Sequence, residues 1–158
     1  VVVPGLGFVL NNEMDDFQPR RGAVYIYGLR QSDWNLPEAG KRPLSSMTPT
    51  IVLDERDEVV AVAGASGGPR IITATMQVLM RALAGEPVGE AIAAPRLHHQ
   101  WLPDVARVEA PLDPAWLEEQ GHKVEVREHG SAVQAIVRTN GGWSAASDPR
   151  KGGQPAGH

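Results

Sequence analysis

Three carboxylates stand within four residues near the start of the chain, at Glu13, Asp15 and Asp16. They follow a short apolar run, residues 8–10, which we expect to form a strand. Such a cluster makes a negative spot that suits an ammonium group or a metal ion. Because the alternating oxygen ligands and the required glycine of a calcium loop are absent, ammonium recognition is the better functional interpretation. A solvated acidic loop is the structural alternative.

Two adjacent hydroxyl residues, Ser45 and Ser46, lie between Pro43 and Pro49. The prolines stiffen the backbone on both sides of the pair. Paired hydroxyls and their N–H groups can bind a carboxylate. The alternative is an ordinary turn in which the serine side chains satisfy the local backbone.

A pair of glycines, Gly67 and Gly68, precedes a predicted amphipathic helix that begins at Pro69. Glycine lets a substrate approach the backbone closely, and the first N–H groups of a helix are unpaired. A developing oxyanion would be stabilised there, and a phosphate would also fit. The segment lacks the Lys-Ser/Thr of a Walker motif and the spacing of a dinucleotide fingerprint. A tight turn into a helix is the alternative.

Two histidines, His98 and His99, are adjacent and point to different sides of a strand or a helix. No third ligand is apparent beside them, so we expect hydrogen-bonding roles and no metal site. No Ser, Thr or His stands in the setting of an activated nucleophile, and no Gly-x-Ser-x-Gly elbow occurs.

The elements that must position these groups alternate between hairpins and short helices. Residues 50–53 and 59–63 predict a hairpin, and a helix from Pro69 to the stop at Gly85 follows it. Its apolar stripe is predicted at Ile72, Met76, Leu79 and Leu83, widened by Ile71, Thr75 and Val78. Further helices are predicted at 88–93 and 114–121, and further strands at 105–109, 123–127, 132–138 and 143–146. This order favours an α+β fold with mostly antiparallel sheet over a doubly wound parallel sheet.

Composition narrows the classes of partner. The net charge of −4 gives no basic footprint, so nucleic acid is not an expected partner. No apolar run approaches the roughly 18 residues of a membrane helix, and there is no cysteine. The chain opens on Val1 without a signal-peptide pattern, so we expect it to be an interior segment. We expect one domain over 1–150, a disordered tail over 151–158, and a functional loop over 18–44 with a strand near 24–27.

Taken together and in this order, the motifs resemble the small catalytic subunit of the γ-glutamyltransferases, in its C-terminal part. The resemblance extends from Gly5 to Arg150. It is carried by residues 10–17, 27–29, 41–52, 67–73, 94–96, 98–101 and 146–150.

The resemblance implies an N-terminal nucleophile hydrolase fold, an αββα sandwich made by a self-cleaving precursor. The new N-terminal threonine would take the γ-glutamyl group of glutathione or a related compound and pass it to water, an amino acid or a peptide. The implied partners are these acceptors and the large subunit of the same precursor. No cofactor is implied, and the implied location is periplasmic or extracellular.

The resemblance also assigns roles. It implies that Glu13 and Asp16 bind the α-ammonium of the substrate and that Ser45 and Ser46 bind its α-carboxylate. It also implies that the N–H groups of Gly67 and Gly68 stabilise the oxyanion. It makes Asp15 structural and implies that Met14 and Phe17 anchor the acidic loop in the core.

Two departures from the family pattern bear on function. The nucleophilic threonine and the carboxylate-binding arginine of the large subunit are not among these residues, and Pro69 stands at the helix start rather than within the glycine loop. A related acylase of the same fold, such as a cephalosporin acylase or a polyglutamate-handling transpeptidase, is one alternative. A non-catalytic remnant is another. We expect the isolated chain to be poorly stable, because unpaired strand edges invite aggregation.

Overall fold

The computed structural model describes residues 2–24, 27–29, 31–128 and 130–157. The chain divides into two compact units, Val1–Ser45 and Ser46–His158. The expected single domain over 1–150 and the disordered tail stay predictions.

The first unit is built of turns. Two 3₁₀ helices, Glu13–Asp16 and Asp33–Asn35, stand in irregular chain. The strand predicted at 8–10 is wrong: Val9 makes only an isolated antiparallel bridge to Val2, and its side chain is exposed. An apolar run forms a strand only where it can pair with the edge of another strand and bury one of its faces. Of the strand predicted near 24–27, residues 25 and 26 lie outside the described residues.

The second unit holds the regular structure. Its strands are β1 (Thr50–Leu53), β2 (Val59–Ser66), β3 (Leu97–His98), β4 (Ala106–Val108), β5 (Val124–Val126), β6 (Ala132–Thr139) and β7 (Gly142–Ser147). Its α-helices are α1 (Arg70–Leu83), α2 (Val88–Ala93) and α3 (Ala115–Glu119). Each predicted element of this unit is therefore present, and β2 runs three residues further than predicted, up to the glycine pair.

Two sheets carry the strands. The larger is antiparallel with the order β1-β2-β6-β7. The smaller has the order β3-β4-β5, and its β4–β5 pair is parallel. The α+β prediction with mostly antiparallel strands is confirmed, with that one parallel pair as the exception.

Helix α1 packs on the larger sheet through part of the predicted apolar stripe, and the centre of the buried face is shifted toward Ile71, Thr75 and Val78. Ile72, Met76 and Leu83 are about half exposed, whereas Ile71, Thr75 and Val78 are buried. The buried face continues through Ala74, Leu79 and Ala82 and meets Ala61, Ala63 and Ala135 of the sheet. Because the residues on both sides are small, helix and sheet approach closely. The face of α1 that turns inward is therefore the one that packs best against the sheet, and not the one with the largest apolar side chains.

Both ends of α1 are defined by residues that cap the helix. At the C-terminus, Gly85 N–H donates to the carbonyl of Ala82 and Glu86 N–H to that of Arg81, each at 3.1 Å, with Gly85 at φ +98°. This is a Schellman end, and the predicted glycine stop is confirmed. At the N-terminus, Pro69 is the N-cap and separates the glycine pair, which follows β2, from the first helical residue, Arg70.

Candidate functional site

The acidic segment forms one 3₁₀ turn, Glu13–Asp16, which we call the acidic turn. In a 3₁₀ helix the side chains at i and i+3 eclipse each other. Glu13 and Asp16 therefore leave the turn on the same side, while Asp15 points elsewhere. Asp16 is half-buried and Glu13 is exposed. Two carboxylates on one side of the turn concentrate negative charge there, which suits a cation such as an ammonium group.

The anchoring of the acidic turn is only partly as predicted. Phe17 is 5% exposed and does anchor the turn, but Met14 is 69% exposed, so its predicted role as an anchor is wrong. Met14 lies within the 3₁₀ helix, whereas Phe17 caps it in extended conformation, with φ −72° and ψ 150°, so the eclipsing of i and i+3 side chains does not extend to this pair. Phe17 lies where the chain turns inward and Met14 does not.

The backbone of the acidic turn is held by an asparagine that the sequence did not single out. The Asn35 Nδ2 atom donates to the carbonyl oxygen of Asp16 at 2.7 Å, and Asn35 Oδ1 accepts from the N–H of Leu44 at 2.9 Å. Leu44 immediately precedes Ser45. No sequence signal marks this residue, since an Asn in a Pro- and Gly-rich loop is ordinary turn chemistry.

The two serines lie on either side of the division between the units. Ser45 is exposed at the end of the first unit. Ser46 begins the second unit, where it is half-buried and its carbonyl accepts from the Thr48 hydroxyl at 3.0 Å. Pro43 and Pro49 bracket the segment as expected.

The two glycines form the connection from β2 to α1, which we call the glycine turn (Gly67–Gly68). Gly67 has φ +139° and Gly68 φ +61°, both in the region that L side chains rarely adopt. The Gly68 carbonyl accepts from Ile71 N–H at 3.0 Å. Within the described ranges no hydrogen bond is seen from the N–H of either glycine. Two unpaired donors next to a helix N-terminus can stabilise an anionic oxygen.

Ser131 forms the back of the glycine turn. A Cβ atom at Gly67 would stand 2.8 Å from Ser131 Cβ and 2.9 Å from its Cα, so only glycine fits there. Ser131 is buried, and the Nη1 atom of Arg96 donates to its hydroxyl at 3.3 Å and its carbonyl at 3.4 Å.

Arg96 belongs to a buried ionic network. Its Nη2 atom donates to the Asp148 carboxylate and, at 2.7 Å, to the Ile92 carbonyl. Both charged side chains are almost fully buried. Burial acts to raise the pKa of the Asp148 carboxyl, but donation from the N–H groups of Val133 and Arg150 and from the Arg96 guanidinium outweighs it and holds that pKa below its ordinary value. The network thus contains a carboxylate, not a neutral acid.

A second carboxylate extends this network. Glu109 accepts from the Nε atom of Arg150 at 2.9 Å and from the backbone N–H of Arg96 at 3.0 Å. Arg150 also donates to Asp148 at 3.1 Å. Asp148 and Arg150 belong to a motif that carried the family resemblance, but the sequence did not reveal what they contact.

His98 has a hydrogen-bonding role, as predicted. Its Nδ1 atom lies 2.9 Å from the Thr73 hydroxyl of α1, and its Nε2 atom lies 2.9 Å from Gln100 Oε1. Burial lowers the pKa of the His98 ring. His99 pairs instead with Asp104, at 3.1 Å. In the part of the chain that the structure describes, no three His, Asp or Glu side chains are grouped as a metal site would need.

No helix in the described ranges is long and apolar enough to cross a membrane.

Comparison with known proteins places the chain. The sequence model of one family, described as Gamma-glutamyltranspeptidase, matches residues 1–158. The chain belongs to the gamma-glutamyltranspeptidase family. A glutathione hydrolase proenzyme of Escherichia coli (strain K12) is 44% identical over 155 residues, covering 95% of this chain and 27% of that protein.

Solved members of the gamma-glutamyltranspeptidase family share the fold. A mutant of the Helicobacter pylori gamma-glutamyltranspeptidase superposes with a TM-score of 0.83 at 42% identity, covering 96% of this chain and 86% of that one. The Pseudomonas nitroreducens gamma-glutamyltranspeptidase, solved in complex with L-DON, gives 0.84 at 40% identity and covers 100% and 86%. The expected N-terminal nucleophile hydrolase fold of α+β class is confirmed. The chain spans about a quarter of the length of the glutathione hydrolase proenzymes it matches, 27% for the Escherichia coli protein.

Proposed function

We propose that the full-length protein transfers γ-glutamyl groups from glutathione and similar donors to water or to amino-acid and peptide acceptors. Family membership over residues 1–158 supports this reaction class. The observation that carries it is the placement of Glu13 and Asp16 on one side of a single 3₁₀ turn, a negative site suited to the α-ammonium of a γ-glutamyl group. As in a processed precursor, the catalytic threonine and a large subunit would complete the enzyme.

Each pair of residues has a task in this reaction. Glu13 and Asp16 bind the α-ammonium, and Ser45 and Ser46 bind the α-carboxylate through charge-assisted hydrogen bonds. Holding both ends of the glutamyl head fixes the γ-carbonyl carbon against the nucleophile.

The glycine turn acts on the transition state. When the threonine oxygen attacks the γ-carbonyl carbon, the carbonyl oxygen becomes an anion, which the N–H groups of Gly67 and Gly68 stabilise. The C–N bond then breaks and the amine leaves with a proton from the threonine's own α-amino group, which served as base. Water or an acceptor amine attacks the resulting ester in the same manner and regenerates the threonine.

Substrate analogues that lack one charge test the binding assignments. A glutaryl anilide keeps the carboxylate but has no ammonium, and a 4-aminobutyryl anilide keeps the ammonium but has no carboxylate. We expect the full-length wild-type protein to prefer the L-γ-glutamyl anilide over both. If it hydrolysed the glutaryl compound as well as the γ-glutamyl one, it would be an acylase of the same fold; no turnover of any of the three would indicate a remnant.

Substitution then separates the two pairs. Asp16→Ala, which leaves Glu13 in place, should lower kcat/KM for the γ-glutamyl anilide by about 5- to 150-fold, corresponding to about 1–3 kcal/mol, and should reduce the preference over the glutaryl analogue by a similar factor. Ser45→Ala, which leaves Ser46 in place, should instead reduce the preference over the 4-aminobutyryl analogue. Asp15→Asn is the matched control, because it removes a carboxylate from the same turn but from another side. Equal losses from Asp15→Asn and Asp16→Ala would show that only net charge matters.

A further inference from the structure

Asn35 is a buried polar side chain in a unit made of turns. It closes the second 3₁₀ helix, Asp33–Asn35, and is 8% exposed, whereas its neighbour Trp34 is 87% exposed. A buried amide is costly unless its donors and acceptor are paired. Its contacts are therefore informative about what it is for.

Three hydrogen bonds satisfy the Asn35 amide. Its Nδ2 atom donates to the Asp16 carbonyl and to Gln31 Oε1, both at 2.7 Å. Its Oδ1 atom accepts from Leu44 N–H at 2.9 Å. The partners fix which way the amide faces, because a backbone carbonyl can only accept and a backbone N–H can only donate.

These contacts tie together two segments that are far apart in sequence. Asp16 lies 19 residues before Asn35, and Leu44 lies nine residues after it. Since donor and acceptor belong to one planar amide, the distance between the Asp16 carbonyl and the Leu44 N–H has little freedom. Asp16 ends the acidic turn, and Leu44 is bonded to Ser45.

We propose that Asn35 is a positioning residue that sets the spacing between the ammonium-binding acidic turn and the carboxylate-binding Ser45; this rests on the proposed function. The α-ammonium and α-carboxylate of a γ-glutamyl group are attached to one carbon atom, so the groups that bind them must be held at one separation. An error of about 1 Å in such positioning can cost a hundredfold in rate. The hydrogen bonds from the Asn35 side chain to these two segments are made to backbone atoms, and its role is therefore one of placement.

Asn35→Asp in the full-length protein is the sharpest test. Aspartate has the same shape and still accepts from Leu44 N–H, but it cannot donate to the Asp16 carbonyl. We expect kcat/KM for the L-γ-glutamyl anilide to fall at least about tenfold. The change should be mainly in KM, because a displaced acidic turn binds the ammonium less well in the ground state and in the transition state alike. The preference over the glutaryl analogue should fall by a similar factor, while turnover of the glutaryl analogue itself changes little.

Two further variants guard against a trivial loss of stability. Asn35→Ala removes both ties and should weaken the preference over both one-charge analogues. Gln31→Met, which is milder, removes the second acceptor of Asn35 and a 3.3 Å donation to the Asp16 carbonyl; it should weaken only the preference over the glutaryl analogue. It keeps the proposal testable if neither Asn35 variant accumulates.

Gln18→Ala is the matched control. Gln18 is as deeply buried, and its side chain donates to the Arg20 carbonyl at 2.9 Å. This variant should lower the thermal midpoint but keep both preferences. Wild-type preferences in Asn35→Asp, or equal losses in Gln18→Ala, would overturn the role of Asn35. Absence of γ-glutamyl turnover in the wild type would instead overturn the proposed function, and the two failures are thus distinct.

Discussion

Gly67 is confined by Ser131 behind it and by its own backbone angle. A Cβ atom there would be 2.8 Å from Ser131 Cβ, and φ is +139°. Ser131 cannot move aside easily, because it is buried and its hydroxyl and carbonyl accept from Arg96. The site therefore demands glycine for two independent reasons, steric and conformational.

Gly67→Ala should consequently lower both stability and rate. An L residue in such a conformation costs about 1–3 kcal/mol, and the displaced N–H groups should reduce kcat more than KM. Gly64→Ala, in β2, is the control, since a Cβ atom at Gly64 meets nothing within 4 Å. Thermal unfolding and steady-state kinetics of the full-length variants measure both effects. A variant at Gly67 as stable and active as that at Gly64 would refute the assignment.

At the residue scale, the sequence was sufficient to predict which residue types could bind a charged group, but not which residues contact each other. The paired carboxylates could be read as an ammonium site because their chemistry is local, and the 3₁₀ turn then aligned Glu13 with Asp16. The role of Asn35 could not be read, because its partners lie 19 and nine residues away. Met14 was misplaced, since hydrophobicity alone does not tell which side of a short turn faces inward.

At the scale of elements, the buried network joins α2, the residue before β3, the start of β6 and the residue after β7. Asp148 accepts from Arg96 and from the N–H of Val133 at 2.8 Å. A buried ion pair stabilises little beyond an apolar substitute, but breaking one side leaves an unpaired charge. The network is therefore expected to affect stability chiefly when one partner is removed, because the other charge then stays buried and unpaired.

Asp148→Asn should lower the free energy of unfolding by about 3–5 kcal/mol, because Arg96 stays buried without a counter-ion. Asp54→Asn is the matched control: Asp54 also pairs with an arginine, Arg138, but lies at the surface, so the loss should be much smaller. Denaturant unfolding of both variants gives the comparison, and equal losses would contradict it.

The same pair predicts a pH dependence. The pKa of Asp148 is lowered in the folded state. Its stabilisation is therefore present above the unfolded pKa of about 3.9 and is lost as pH falls through the folded value. The stability difference between the wild type and Asp148→Asn should narrow below about pH 4. A difference that stays constant from pH 7 to pH 3 would contradict this.

Turn and cap signals in the sequence predicted where the elements lie, but predicted only part of the buried face of α1: Leu79 is buried as expected, whereas Met76 and Leu83 are half exposed. The hairpin, the helix at 88–93 and the glycine stop at Gly85 depend on local backbone chemistry. The buried face of α1 depends on its partner, a sheet lined by Ala61, Ala63 and Ala135. Against so flat a surface, small residues on the helix make closer contact than large ones.

At the scale of the molecule, α1 of the second unit presents an apolar surface to solvent. One residue of this surface, Met80, is 65% exposed, and its other members are about half exposed. The surface consists of Ile72, Met76, Met80 and Leu83. Contiguous apolar surface on a monomer marks an interaction site or a tendency to aggregate.

The isolated 158-residue chain should therefore self-associate. Met76→Glu with Met80→Glu should shift it toward monomer, as measured by sedimentation velocity at several concentrations. The control adds the same charge at exposed polar positions, Gln120→Glu with Asn140→Glu. Monomeric, cooperatively unfolding wild type would refute the expectation, and equal effects of both double variants would attribute association to charge alone.

The acidic turn has a consequence for how such sites can change over time. Successive residues of a 3₁₀ helix are rotated by about 120°, so Glu13 and Asp16 coincide only because two residues separate them. Exchange of Met14 or Asp15 leaves that coincidence intact, whereas one insertion or deletion between them rotates the carboxylates apart. In descendants of this sequence, the number of residues in the turn should be kept more strictly than their identity.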